Sequence, residues 1–320
     1  MDALIETFST LQQTLFEVWV QPLVFGMGQG HLLEKAFEGA GWLLVGLLQI
    51  LVLLLVIGPL QRIWPAEPVS SPKAIRVDVI YTLIHRLGLF KLLMFFTLDY
   101  GFEQGWGWLR SMGWPTFHLD ALWPGVTDQA LVSFVLYLVF FDFVHYWIHR
   151  AQHQSNTWWA LHGLHHSQRQ MTMWSDNRNH LLDDAATSLI LSAVAVLMGV
   201  GPGQFVALVA ISQLSESFQH ANLRIWFGSW GERLWVSPRF HRRHHSIGIG
   251  HEFDVKGQKV LGGCNFGVLL PWWDVMFGTA DFQLRYDPTG VPDQVEQGRD
   301  YGDGFWAQQR QGWLRLWGRA

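Results

Sequence analysis

Charged side chains are scarce in this chain of 320 residues, where Asp, Glu, Lys and Arg together make up 15%. Soluble domains carry roughly 25% charged residues, and hydrophobic residues here make up 49%. The composition therefore indicates a membrane protein rather than a soluble one. The formal net charge of −4 gives no overall positive charge for binding nucleic acid.

The chain also lacks the features of a secreted, disulfide-bonded protein. Its single cysteine, Cys264, cannot form an internal disulfide. The first forty residues carry five acidic side chains and one basic one, Lys35. A cleavable signal peptide begins with basic residues before its apolar core, so we expect no such peptide here. Tryptophan, by contrast, occurs 19 times, and this residue favours the bilayer interface.

Long uncharged runs predict that the chain crosses the membrane several times. Residues 41–60 carry no charge and are long enough to cross about 30 Å of hydrocarbon as a helix. Four further segments are predicted to span: 78–98, 129–148, 181–199 and 203–218. Because His85, Arg86 and Lys91 are costly inside a bilayer, 78–98 either spans or lies in the interface. We thus predict an all-α, polytopic membrane protein with about five spanning helices, or four in the second case.

The distribution of basic residues predicts which side of the membrane the histidines face. If the helices alternate, one face carries 61–77, 149–180 and everything after residue 219. The other face carries 1–40 and 101–127, and we expect the latter to be a loop. Of the 22 Lys and Arg, only Lys35 and Arg110 fall on that other face. Lys and Arg favour the cytoplasmic side, so we predict a cytosolic, histidine-rich helical cap on a bacterial inner membrane or endoplasmic reticulum protein.

Two Trp-rich stretches after residue 219 mix apolar residues with arginines, namely 225–236 and 305–317. Both read as amphipathic helices that lie on the cytoplasmic membrane surface. Ordinary packing of such helices against the protein explains the same pattern equally well.

Histidines occur in three clusters whose spacing brings their rings together. The first is His145, His149 and His153, the second is His162, His165 and His166, and the third is His241, His244 and His245. Steps of three and four residues place side chains on one face of a helix. Neutral imidazole is a good ligand for iron, zinc and copper. The clusters therefore predict a metal site.

The number of histidines predicts two ions rather than one. Eight residues exceed the four positions of a closed zinc site: His149, His153, His162, His165, His166, His241, His244 and His245. His220 is a further candidate ligand, since Glu216 lies one turn before it, and His145 and His180 are further ligands or supports of the ligands. Carboxylates are needed to orient metal-bound imidazoles, and the candidates are Asp142, Asp183, Asp184 and Glu216. Each carboxylate could instead mark a helix end in the headgroup layer.

Around these histidines the sequence resembles the fatty acid hydroxylase/sterol desaturase family of integral-membrane enzymes. The stretches that carry the resemblance are 142–153, 159–167, 178–180, 218–222, 237–245 and 265–279. The resemblance implies a catalytic domain over 125–282, which leaves 1–124 as an N-terminal membrane region and 283–320 as an amphipathic tail. One departure is visible, because Cys264 and the glycine-rich 257–263 precede Asn265, where the family often has a short polar link. This departure weakens any prediction that the loop supports the ligands.

The resemblance implies a non-haem centre of two iron ions, which zinc can replace in purified protein. Such a centre uses O₂ and two electrons to hydroxylate or desaturate a lipid, here a fatty acyl, sterol-like, alkylglycerol or carotenoid substrate. It implies that the three histidine boxes, with His220 and His180, hold the ions, that Asn265 supports them, and that no catalytic residue is needed beyond the ligands. No NAD or flavin motif is present. The electrons must then come from a cytochrome b5-like protein, or from a ferredoxin with its reductase, and Arg242 and Arg243 could dock an acidic donor or be solvated surface residues.

Other classes of metal or haem protein remain as alternatives. A membrane haem protein that carries electrons needs isolated histidine pairs across a bundle rather than two HxxHH boxes. A zinc hydrolase of the HExxH type is disfavoured, because His251-Glu252 lacks the second histidine. A metal transporter places its ligands at mid-membrane on broken helices, whereas these boxes lie at and beyond the cytoplasmic helix ends.

Overall fold

The computed structural model describes residues 2–255 and 258–319, and most of them are helical. Two short antiparallel strands, β1 (Glu252–Val255) and β2 (Gln258–Leu261), form a hairpin. Turns of 3-10 helix lie at Gly30–Leu32 and Leu119–Ala121, and π-helical turns lie at Phe16–Val20, Leu53–Ile57 and Phe95–Asp99. The α-helices are α1 (Asp2–Leu15), α2 (Gln21–Gly26), α3 (Leu33–Val52), α4 (Gly58–Ile63), α5 (Pro72–Arg86), α6 (Leu89–Met94), α7 (Tyr100–Ser111), α8 (Ala130–Gln154), α9 (Asn156–His166), α10 (Leu181–Leu197), α11 (Pro202–His220), α12 (Gly228–Gly231), α13 (Pro238–His244), α14 (Trp272–Phe277), α15 (Pro292–Glu296) and α16 (Phe305–Leu316).

Two helical segments among the described residues are long and apolar enough to cross a membrane. They are Gly30–Ile63, of 34 residues, and Ala130–Gln154, of 25 residues, and they contain the predicted spans 41–60 and 129–148. A third is reached if Pro72–Arg86 and Leu89–Ser111 are counted as one broken span. The predicted spans 181–199 and 203–218 form helices α10 and α11, but neither helix meets the same criteria of length and hydropathy. Five spans therefore remain a proposal.

The segment 78–98, predicted to span the membrane or to lie in its interface, is not one continuous helix. The chain bends by 58° between α5 and the helical segment that begins at Leu89. Gly88 causes this break, because its φ of 79° is a left-handed conformation that cannot continue a helix.

The expectation of a loop throughout 101–127 is also wrong, since α7 continues to Ser111. Gly101, Gly105 and Gly107 made a loop plausible, but each glycine costs a helix only about 1 kcal/mol. Extending a helix that already exists adds a hydrogen bond with each residue. The preceding helical turns therefore carry the helix through the glycines.

The two Trp-rich stretches behave differently from each other. In 225–236 only Gly228–Gly231 is helical, so the prediction of a surface helix there is wrong. The buried carboxylate of Glu232 accepts hydrogen bonds from the Phe227 amide and the Ser237 hydroxyl and pairs with Arg239, which folds this segment into turns. The second stretch does form a helix, α16, and this helix packs on α9 through the Arg315 Nε bond of 3.1 Å to the carbonyl of Ala160.

A buried arginine on α5 joins three other segments by hydrogen bonds. Arg86 is 3% exposed, and its guanidinium donates to Gln49 on α3, to Asp176 before α10, and to Ser217 on α11. The distance from its Nη2 to the Asp176 Oδ2 is 2.8 Å. Removing one partner would leave the other buried and charged, which costs several kcal/mol. The hydrogen bonds of Arg86 therefore fix how α3, α5 and α11 meet.

Helices α3 and α5 approach each other so closely that only glycine fits at residue 46. A Cβ at Gly46 would lie 1.7 Å from the carbonyl oxygen of Arg86. We expect Gly46→Ala to push the helices apart and lower the free energy of unfolding by about 1–3 kcal/mol, as overpacking does. The measurement is the thermal unfolding temperature in detergent. Gly39→Ala is the matched control on the same helix, because nothing lies within 4 Å of its Cβ position. Equal unfolding temperatures for the two variants would contradict the prediction.

Candidate metal centre

Four helices bring nine of the predicted histidines to one buried place. His149 and His153 come from α8, the second box from α9, His220 from the end of α11, and the third box from α13. None of the nine is more than 7% exposed. The starts of α9 and α13 are fixed by side-chain caps, since Ser155 accepts from the Trp158 amide and Ser237 from the Phe240 amide.

The imidazoles separate into two groups of four. The first group is His149, His153, His162 and His166, and the second group is His165, His220, His241 and His245, with the ligand nitrogens of each group within 4.8 Å of one another. His244 lies between the groups, close to His166 and His245. In each HxxHH box the residues four apart join one group; the middle histidine of the second box, His165, joins the other group, and that of the third box, His244, lies between the two. One helix therefore serves both groups.

The distances between ring nitrogens fit ligands that share an ion. The Nε2 atoms of His153 and His166 are 3.1 Å apart. The Nε2 atom of His220 lies 3.1 Å from the Nε2 of His165 and 3.0 Å from the Nε2 of His241. Two imidazoles at right angles around a metal, each with a bond of about 2.1 Å, are about 3.0 Å apart. In addition, the buried Nε2 atoms of His162 and His244 have no hydrogen-bond partner in the described part of the chain. These residues therefore fit a metal centre.

Hydrogen bonds at the opposite ring nitrogen fix the tautomer of five histidines. The Nδ1 atoms contact oxygens that can only accept: His149 to Phe266 O at 2.8 Å, His153 to Gly262 O at 3.2 Å, His162 to Asp183 Oδ2 at 2.9 Å, His220 to Glu216 O at 2.8 Å and His244 to Cys264 O at 2.7 Å. Each Nδ1 must then carry the proton, so that the Nε2 lone pair faces inwards. This is the arrangement that a metal-bound imidazole needs.

One loop supplies three of those oxygens. They belong to alternate residues, Gly262, Cys264 and Phe266, which accept from His153, His244 and His149. This is the loop in which the sequence departs from the family pattern, although Gly257 lies outside the described residues. The doubt about a supporting role for the loop was therefore wrong, because the loop acts through its backbone rather than its side chains.

Asn265 holds this loop in place without touching a histidine. Its amide donates to the carbonyls of Phe240 and Asp281, and its Oδ1 accepts from the Asp281 amide at 2.6 Å. Its backbone φ of 58° is left-handed, which asparagine tolerates better than most residues. Asn265 thus supports the ligands indirectly.

Burial keeps the histidines of the cap neutral. It lowers the pKa well below the ordinary value, and nearby imidazoles lower it further, at five histidines outside the spanning helices: His165, His166, His241, His244 and His245. Desolvation disfavours the charged ring in each case. Neutral imidazole is the form that binds metal, so no deprotonation is needed at neutral pH.

The four candidate carboxylates have different roles. Asp183 orients His162 and also accepts from Gln152 and from the Trp158 indole, at 2.7 and 2.6 Å. Asp142 accepts instead from the amides of Leu269 and Leu270 and from the Trp273 indole. The Asp184 carboxylate lies 3.1 Å from His85, and Glu216 reaches a ligand only through its backbone carbonyl. Of the four side chains, that of Asp183 alone is shown bonded to one of the grouped histidines.

Besides His244, two of the predicted histidines lie outside both groups. His180 uses both ring nitrogens elsewhere, with Nε2 2.9 Å from the Gln309 carbonyl and Nδ1 accepting from the Leu182 amide. His145 lies one turn before His149 and faces a cavity rather than the groups. The sequence analysis also missed a buried neighbour, His251, whose pKa burial lowers to about 3. Its position six residues after the third box gave little signal.

The two arginines of the third box are not free to dock a partner. Arg242 is 4% exposed and pairs with Glu67 at 2.8 Å. Arg243 is 5% exposed and pairs with Asp281 and Asp287. Both suggestions for these arginines, an acidic donor site and a solvated surface, were therefore wrong. They lock the box to the segment that follows it.

A cavity of about 990 Å³ leads away from the two groups between α3, α6, α8, α10 and α11. His149, His162 and His165 line its inner end, where Glu216 and Asp184 add polar surface. The other end is lined by apolar residues that include Met27 and Phe96, which are 65% and 75% exposed. The cavity thus joins the metal-binding nitrogens to the apolar surface of the helices.

Residues 134–279 match the model of the fatty acid hydroxylase family. This part of the chain is a fatty acid hydroxylase domain. It contains all nine grouped histidines and the supporting loop.

Curated relatives are lipid-modifying oxidoreductases. The chain is 29% identical over 182 residues to the ornithine lipid hydroxylase OlsE of Rhizobium tropici, covering 55% of this chain and 50% of that protein. It is 28% identical over 179 residues to a Delta(7)-sterol 5(6)-desaturase of Aspergillus fumigatus, covering 50% of each. An alkylglycerol monooxygenase of Caenorhabditis elegans is 26% identical over 49% of this chain and 28% of that protein. The chain thus spans half or less of these relatives, and no solved structure matches it significantly.

Asp183 offers a direct test of the support that His162 receives. We expect Asp183→Asn to weaken metal retention about 10–100-fold, because the amide loses the charge that holds the Nδ1 proton of His162. The measurement is metal per chain, and its release to a chelator, in purified protein. Asp184→Asn is the matched control, since the neighbouring carboxylate pairs with His85 and not with a grouped histidine. Equal release from the two variants would refute the assigned role.

Proposed function

We propose that the chain is an O₂-dependent hydroxylase or desaturase of a membrane lipid, with a histidine-ligated, non-haem di-iron centre. One observation carries the proposal: two groups of four buried imidazoles lie at the inner end of a large cavity between apolar helices. Both groups lie within the fatty acid hydroxylase domain, and the cavity is lined by this domain together with segments that precede it in the chain. The relatives, which hydroxylate or desaturate lipids by name, support the same reaction class.

The first group would hold one ion and the second group the other, with His244 placed between them. When bound, the two ions supply the reactivity towards O₂ that breaking an unactivated C–H bond requires. Each ion would be held by four clustered imidazoles, whereas a haem iron takes only one or two axial ligands from the protein, which argues against a haem protein. Zinc remains able to occupy the same nitrogens in purified protein.

The chain's own residues orient the ligands, keep the site dry and position the lipid. Asp183 and the carbonyls of the 262–266 loop hold the imidazole rings. Burial of the ligands excludes bulk water from the site. The exposed apolar side chains of Met27 and Phe96 at the far end of the cavity would admit a lipid sideways from the bilayer. The proposed substrates remain fatty acyl, sterol-like, alkylglycerol and carotenoid lipids.

The electrons are proposed to come from a separate cytochrome b5-like protein or from a ferredoxin with its reductase. The histidine site is proposed to face the cytoplasm, on the basis of the Lys and Arg distribution. The packing of the 61–77 loop supports this assignment. Asn222 accepts from the amides of Ala66 and Glu67, and Gln170 accepts from the Ser70 amide, so the basic loop lies beside the histidine region.

The reaction is tested by lipid mass spectrometry of cells that express the wild type or His165→Ala. We expect the wild type to add one oxygen to, or remove two hydrogens from, one class of lipid. His165→Ala should lose this product because the second group loses a ligand. Ser192→Phe should keep its iron and lose most of the product, since Ser192 lines the cavity and the larger ring fills it.

Two controls accompany this experiment. Ile190→Phe adds the same ring on the outer side of α10, where Ile190 is 37% exposed, and should keep the product. His31→Ala removes an exposed histidine far from the site in sequence and should also keep it. If no lipid differs between wild type and His165→Ala, and the purified protein holds haem or no metal, the proposal fails.

The sidedness is tested with a membrane-impermeant maleimide added to whole cells. Lys73, which is 75% exposed in its side chain, lies on the proposed cytoplasmic face, and Trp123, 66% exposed, lies on the other. We expect Trp123→Cys to be labelled and Lys73→Cys to be protected until the membrane is opened. The wild type supplies the background, because its cysteine, Cys264, is buried. The reverse labelling would place the histidines outside the cytoplasm.

A further inference from the structure

His251 lies against the first group of histidines. It belongs to none of the three predicted clusters and precedes the first strand of the hairpin. It is 0% exposed. Its ring packs on Trp159 at 5.4 Å between centroids, on His166 at 4.7 Å, and parallel to His153 at 6.2 Å. These surroundings place it directly beside the site rather than elsewhere in the cap.

Neither ring nitrogen of His251 has a hydrogen-bond partner in the described part of the chain. A buried polar atom without a partner is unfavourable, and such atoms in native proteins usually mark a function or a bound ion. Packing alone does not explain this side chain, because phenylalanine would fill the same space without two unpaired nitrogens. A metal ion beside it would satisfy one of the two nitrogens, the one that carries the lone pair.

The ring of His251 is as close to its neighbour as the members of the first group are to each other. Its centroid distance of 4.7 Å to His166 compares with 4.6 Å between His153 and His166 and 5.1 Å between His162 and His166. Its nitrogens are not among the mutually close set. A modest rotation of the ring is therefore needed to bring one of them to the ion.

The backbone around His251 is held by contacts that only glycine allows. A Cβ at Gly250 would lie 1.5 Å from the carbonyl oxygen of His244, and one at Gly263 would lie 1.9 Å from that of Gly250. The carbonyl of His251 accepts from the Gly262 amide at 2.9 Å. The segment is thus pressed against the third box and against the loop that orients His153, so the position of His251 is built into the site.

We propose that His251 is a tenth imidazole of the centre and the fifth ligand of the ion held by the first group. This inference rests on the proposed di-metal site. His251 comes from a loop rather than from a helix, and it binds more weakly than the other four ligands because its ring must rotate. The first ion would nevertheless be held more firmly by five imidazoles than by four.

The test compares wild type, His251→Phe and Trp159→Phe as purified full-length proteins loaded with Co²⁺. We expect His251→Phe to release one of its two ions to EDTA about tenfold faster or more, and to change the visible Co²⁺ spectrum as one nitrogen ligand is lost. Trp159→Phe disturbs the same packing contact without removing an imidazole nitrogen, so its release rate and spectrum should stay those of the wild type.

His251→Gly keeps the proposal testable if the phenylalanine variant does not fold. Added imidazole should restore the wild-type Co²⁺ spectrum of His251→Gly, which a purely structural side chain would not allow. Unchanged release and spectrum in His251→Phe, or no rescue of His251→Gly, would overturn the proposal. The proposed function fails separately, if the wild type binds two ions but modifies no lipid.

Discussion

Nine neutral imidazoles must be buried together with their lone pairs turned inwards, and much of the structure follows from this constraint. An acceptor at the ring nitrogen that faces away from the centre fixes the orientation of the ring. Five of the nine histidines have one: backbone carbonyls supply four of these acceptors and Asp183 supplies the fifth. Because carbonyls bring no charge, these five rings are oriented with one buried carboxylate rather than a costly set of them. The outward nitrogens of His165, His166, His241 and His245 have no hydrogen-bond partner in the described part of the chain.

The loop of residues 262–266 is held as firmly as the ligands that it supports. Asn265 ties it to α13 and to Asp281, while the carboxylate of Asp142 on α8 accepts from the two amides that follow, at Leu269 and Leu270. Buried Arg86 joins the membrane helices on the far side of the cavity. Two polar networks therefore hold the site. One surrounds the 262–266 loop, and the other, around Arg86, joins the helices that line the cavity.

The clustering of the histidines could be predicted from the sequence because helical spacing is a local property. The offsets within each box are enough to place three rings on one face, and no tertiary information is needed. The sequence indicates Asp183 only as one of four carboxylates, because only the fold shows which of them meets a grouped histidine. His180 was a candidate both by its position and through the resemblance, but the carbonyl of Gln309, 129 residues away, contacts its ring.

The features that sequence reasoning missed depend on backbone atoms or on contacts distant in the chain. Carbonyls at Gly262, Cys264 and Phe266 are invisible to a pattern of side chains. The break at Gly88 depends on a left-handed conformation, and the helicity of 100–111 on the turns before it. His251 lies beyond the boxes, so its burial against His166 emerges only from the fold.

The division of the second HxxHH box between the two groups has a mechanical consequence. Helix α9 gives His162 and His166 to one group and His165 to the other. Such a helix cannot turn about its own axis, or slide along it, without displacing ligands on both sides at once. Any movement of α9 as a rigid body thus shifts ligands in both groups. A distortion that widens one group also changes the geometry of the other.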